Sequence, residues 1–124
     1  MRIYKTEEFV KLPDGTVFGI FPARNARRTN NLCVKTLSVP PLDFHYLCLT
    51  DFEAADGDER YLRMEQMRDH GASFPGKVRA QQHGVCDPGE CFLVYETEDL
   101  CCMSKWFAAA RVIHRDHETR EQVA

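Results

Sequence analysis

The side chains best suited to chemistry are thiols, imidazoles and guanidinium groups, and they fall in three places along the chain. His83, Cys86 and Cys91, spaced His-x2-Cys-x4-Cys, put three soft ligands around Asp87-Pro88-Gly89-Glu90. Zinc takes four such ligands, and Cys101, Cys102, His114 or His117 could complete the set. The paired spacings of structural zinc sites are absent, so the simpler reading is a tight Pro88-Gly89 turn with the two thiols facing each other across a hairpin. No cofactor is expected on that reading, and zinc held by His83, Cys86 and Cys91 is the alternative.

Cys101 and Cys102 fall in the first turn of a predicted helix, where the helix dipole lowers a thiol pKa. Glu96, Glu98 and Asp99 push the other way and no basic partner is identified, so packed thiols are expected and no catalytic residue is assigned. Asp51 through Glu59 gathers hard oxygen ligands around Gly57, yet the register of a calcium loop is missing. A solvated acidic loop that caps the next helix fits better. His45 on a strand, and His114 with His117 on a helix end, read as half-exposed or solvated residues.

The third set is cationic. Arg24, Arg27 and Arg28 share one loop, and each guanidinium offers a planar fork of donors that suits phosphates or a partner's carboxylates. Phe21 or Tyr46 could stack a base beside them, and Lys77 and Arg79, in the second long loop, could converge on the same place. These seven residues are the candidate ligand-binding or partner-binding site, against the plainer reading of a solvated loop.

Positioning them requires a scaffold. Thr6 with Glu7 and Glu8 begins a short helix that Pro13 and Asp14-Gly15 stop. Thr16 to Phe21, Leu32 to Leu37, Phe44 to Leu49 and Cys91 to Tyr95 have the β-branched and aromatic content of strands. The last is apolar enough to be buried on both faces. Residues 72–82 read as a loop with a short extended piece near Val78. Asp56 or Asp58 caps a helix over 58–70 that ends at Gly71, with Tyr61, Met64, Met67 and Leu62 as its buried stripe. A second helix over 98–114 carries Leu100, Met103, Phe107 and Ala110 at helical spacing, widened by Trp106 and Ile113. The predicted fold is a single α+β domain: a small, mostly antiparallel sheet of about four strands, the two helices packed on it, and a tail fraying from about residue 115.

At 124 residues the chain is long enough for one core, and 28% charged residues is ordinary globular usage. A net charge of −3 argues against direct nucleic-acid binding, which needs a concentrated basic footprint. The early acids at Glu7 and Glu8 and the lack of a long apolar run predict a cytoplasmic protein without a membrane partner, its six cysteines reduced. The basic loop and the acidic loop, of opposite sign, suit a homodimer or a charged partner.

Two segments, Tyr4 to Phe18 (YKTEEFVKLPDGTVF) and Cys91 to Leu100 (CFLVYETEDL), resemble parts of small uncharacterised phage and prophage proteins. The resemblance carries no catalytic residue and implies an accessory role in the host cytoplasm, counteraction of bacterial defence being a recurrent one. The leading expectation is a non-enzymatic binding protein that blocks a host defence protein or sequesters a nucleotide signal. A zinc-stabilised structural or regulatory module is the alternative, and a small enzyme using a thiol or carboxylate site comes third.

Overall fold

The computed structural model describes residues 1–21, 32–84 and 89–123. Six strands form one sheet: β1 (Arg2–Lys5), β2 (Val17–Phe21), β3 (Cys33–Val39), β4 (Asp43–Cys48), β5 (Arg79–Gln82) and β6 (Cys91–Val94). Their order is β1-β6-β2-β3-β4-β5, and every neighbouring pair is antiparallel. Three helices interrupt the strands: α1 (Thr6–Phe9), α2 (Gly57–His70) and α3 (Thr97–Val123). The α+β class is as expected, with two strands more than the four read from the sequence. The additions are the edge strands β1 and β5.

Alternation along the strands divides the sheet into two unlike faces. On one face Phe18, Phe44, Phe92, Tyr46, Val94, Cys33 and Cys48 are buried, and Phe9 of α1 closes over them. Phe9 stacks on Phe92 with ring centroids 4.3 Å apart and meets Phe18 and Phe44 edge-on at 4.7 and 5.0 Å. β6 is therefore buried on this face alone, because Leu93 and Cys91, which alternate with Val94 and Phe92, are only half-buried.

The segment after α1 is pinned by an unexpected residue. Lys35, on β3, is fully buried. Its ammonium donates to the Leu12 carbonyl and, at 3.4 Å, to the Val10 carbonyl, and it lies 3.9 Å from Asp14. The Ser38 hydroxyl donates to the same Val10 carbonyl at 2.6 Å. Burial pushes the Lys35 pKa down, and the Asp14 carboxylate offsets this in part. A four-residue helix has no hydrogen-bonded length of its own to hold it, so these side chains do so from the sheet.

The expected packing of both long helices on the sheet is corrected. Asp56 caps α2 as read, accepting the Glu59 N–H at 2.8 Å, and Gly71 ends it with φ of 65°. Yet neither α2 nor α3 lies against a strand, and α2 buries no residue. Tyr61, Leu62 and Met64 are exposed, because α2 turns its Arg60-Arg63-Met67 side inward. Arg60 binds Asp51 and sits 4.8 Å over the Phe52 ring, while Arg63 pairs with Glu59 at 2.7 Å and sits 4.9 Å over Phe74. Arginine stems cover these rings as an apolar stripe would. α3 continues through Val123 instead of ending near 114. Its last turns contain no Gly or Pro and carry a His117–Glu121 pair at 3.2 Å.

Replacing Lys35 should separate its packing from its hydrogen bonds. Lys35→Ala is expected to cost about 2–4 kcal/mol in urea unfolding, and Lys35→Met, which keeps the volume, about 1–2 kcal/mol.

Candidate functional site

The aromatic cluster fills only part of the core face. Towards the β4–β5 edge the row running from Phe18 continues through Cys33, Cys48 and Arg79, and the next row holds Lys35, Tyr46 and Gln81. Two cysteines in place of larger apolar residues leave room. A cavity of about 270 Å³ results, lined by Ile20, Cys33, Tyr46, Cys48, Asp51, Arg60, Arg79 and Gln81.

Its polar wall is a carboxylate between two guanidinium groups. Asp51, with a side chain only 5% exposed, accepts from Arg60 and from the Phe52 N–H at 2.8 Å, and lies 3.6 Å from Arg79. Burial alone would raise the Asp51 pKa. The Arg60 hydrogen bond, the Phe52 N–H and the charges of Arg60 and Arg79 together outweigh it and hold the carboxyl below its usual range. Two cations against one anion leave one net positive charge at the wall. Each guanidinium has five N–H donors, of which Asp51 engages only part. Arg60 and Arg79 keep 34% and 36% side-chain exposure, so their remaining donors are accessible.

Cys33 and Cys48 face each other across β3 and β4 at the floor, and burial, with Cys48 alongside, pushes the Cys33 pKa up to about 12. A thiol held protonated at neutral pH is a poor nucleophile. The Tyr46 hydroxyl donates to Gln81 Oε1 at 2.7 Å, which orients the amide at the cavity wall.

No protein-family model, curated protein or solved structure matches the chain.

Of the residues expected to form the site, Tyr46 and Arg79 come together at this cavity. Tyr46 reaches it through its hydroxyl, since its ring packs in the core 5.8 Å from Phe18 and 5.7 Å from Phe44. Phe21 lies on the opposite face of the sheet, opposite Cys91, and Lys77 pairs with Glu53 at 3.5 Å outside the cavity. Arg24, Arg27 and Arg28 lie outside the described residues, although Ile20 and Cys33, close to either end of that loop, both line the cavity. Arg60, Asp51 and Gln81 were missed. Arg60 reads as a solvent-facing helix residue and Asp51 as one acid of a solvated loop, and no spacing in the sequence joins them.

The alternative zinc ligands are not brought together. Cys86 lies outside the described residues. His83 is buried on the core face, stacked on Phe44 at 4.7 Å and 3.1 Å from the buried Glu90 carboxylate, whereas alternation with Phe92 puts Cys91 on the other face. Cys101 and Cys102 are exposed on α3. Among the described residues no group of three or more His, Cys, Asp or Glu is placed to hold a metal ion, and no helix is long and apolar enough to cross a membrane.

The Asp51 carboxylate gives the fold a defined acid sensitivity. A carboxyl with a folded pKa below its unfolded value stabilises above the unfolded value, near 3.9, and loses that contribution as pH falls through the folded value. Asp51→Asn is expected to cost about 1–2 kcal/mol at pH 7 and much less at pH 3, measured as urea midpoints at the two pH values.

Proposed function

We propose that the chain is a non-enzymatic binding protein that sequesters a small anionic ligand of nucleotide type. The observation that carries this reading is the cavity whose wall joins Arg60 and Arg79 around Asp51 over a floor formed by Cys33 and Cys48. Planar donor forks at a partly enclosed site favour phosphate or carboxylate oxygens. The volume falls just under the range of about 300–1,000 Å³ common for drug-sized ligands. A phosphoryl group with its neighbouring atoms therefore enters, and a base stays outside.

In the accessory role implied by the resemblance of residues 4–18 and 91–100 to phage proteins, such a protein counteracts a host defence by removing a nucleotide signal in the host cytoplasm. Blocking a defence protein directly is the form of that role which remains if no anionic ligand is held.

Calorimetric titration with nucleoside mono-, di- and triphosphates tests the reading, together with mass spectrometry of ligands retained from cells. Arg79→Ala is expected to weaken binding roughly 10–100-fold, the worth of a hydrogen bond to a charged group. Arg60→Lys, which keeps a cation beside Asp51, should weaken it less than Arg60→Ala. Arg27→Ala and Arg28→Ala test the loop separately and are expected to weaken binding without lowering stability. Binding unchanged in both the Arg60→Ala and Arg79→Ala proteins would remove the cavity from consideration.

A further inference from the structure

The face of the sheet opposite the core is apolar, and among the described residues no helix covers it. The four inner strands place Leu93, Val17, Phe21, Val34, Leu37 and Leu47 there, with Phe21 45% and Leu37 54% exposed. The polar side chains on this face are Asp43 at the strand end, bonded to Gln82 and the Gly84 N–H, His45 opposite Leu37, and Lys5 and Gln82 on the edge strands. α3 shows the complementary defect. α3 does not lie against a strand, and along its Leu100, Met103, Phe107 and Ala110 stripe only Leu100 and Met103 are half-buried, while Phe107 with Trp106 and Ile113 beside it are 60%, 71% and 66% exposed.

We propose that α3 docks on the open sheet face of a second copy of this chain, reciprocally, in a two-fold dimer. The dimensions agree. The stripe from Leu100 to Ile113 is about 20 Å long at 1.5 Å per residue, and six strands about 4.8 Å apart span about 24 Å. The area leaves room for it: the chain exposes 9463 Å², where a compact monomer of 14.3 kDa exposes about 6,800 Å², and a standard interface, removing about 800 Å² from each partner, takes up part of that excess.

The chain's own helix does not fill its own sheet face. Only Tyr95 and Glu96 separate β6 from α3, and at the helix start the Met1 ammonium lies 2.6 Å from Asp99 and 3.3 Å from Glu96. From there α3 runs unbroken to Val123 with no Gly or Pro at which to double back. Each copy thus carries a helix without a sheet and a sheet without a helix, which is the condition for a self-complementary, isologous contact. The charge-based dimer expected from the acidic loop has less to stand on. Asp51 is paired with Arg60, Glu53 with Lys77 and Glu59 with Arg63 within the chain.

Sedimentation of the full chain at tens of micromolar is expected to give twice the monomer mass. The emission of Trp106, the one tryptophan, should shift to the red on dilution as the dimer dissociates. Trp106→Glu with Phe107→Glu on the helix, and separately Phe21→Glu with Leu47→Glu on the sheet, are each expected to give folded monomers by circular dichroism. Mixing the two should restore dimer in part, because the intact helix of one meets the intact sheet of the other. A wild-type monomer, which would leave α3 for an unrelated protein, overturns the proposal. A sheet variant that stays dimeric means α3 pairs with α3 and overturns it too, as does a mixture that stays monomeric. If the double sheet variant unfolds, Phe21→Ser at its exposed position takes its place in the same mixing experiment.

Discussion

A six-stranded sheet whose long helices both stand away from it must be closed by something else, and here that is one phenylalanine. Phe9 is fully buried against Phe18, Phe44 and Phe92, so the four rings form a continuous set of edge and stacked contacts across β2, β4 and β6. Pairs of this geometry contribute about 0.5–1.5 kcal/mol each beyond the area they bury. The helix that delivers Phe9 is four residues long and would not persist alone. Lys35 and Ser38 answer that weakness from the sheet, taking the carbonyls of Val10 and Leu12 that the short helix leaves open.

The cavity follows from where this cluster stops. Past Tyr46 the core face carries cysteine, glutamine and arginine, which cannot fill the space that phenylalanines fill on the other side. Asp51 is brought to the gap by the chain leaving β4, and the first turn of α2 brings Arg60 to it. The same contact turns the arginine side of α2 towards the body of the protein and leaves Tyr61, Leu62 and Met64 in solvent.

Much of the fold was legible in the residues and part of the site was not, for physical reasons that differ by element. β2, β3, β4 and β6 are dense in β-branched and aromatic side chains, and α2 has both a capping aspartate and a terminal glycine at the right positions. β5, with the sequence RAQQ, carries no such side chain, and β1, RIYK, has only Ile3 and Tyr4, too short a run to mark a strand by itself. They become strands by pairing with β6 and β4, a tertiary effect that local propensity does not record. The spacing of Leu100, Met103, Phe107 and Ala110 marks an apolar stripe on α3, but periodicity names such a face without naming what covers it. At the cavity, Tyr46 and Arg79 are the two lining residues that residue type singles out as candidates. Arg60 and Asp51 are not, since a buried pair between a loop acid and a helix arginine looks in sequence like two solvated charges. Lys35 was invisible for the same reason: lysine is almost never fully buried unless partnered, and its partners here are carbonyls distant in sequence.

The one-sided aromatic core is tested most directly by equilibrium urea unfolding of Phe9→Ala. A loss of about 3–5 kcal/mol is predicted, with the transition losing cooperativity as α1 releases from the sheet. A loss below about 1 kcal/mol, with the transition unchanged in slope, would mean that the sheet is held by contacts other than the cluster around Phe9 and would contradict the structure's central arrangement.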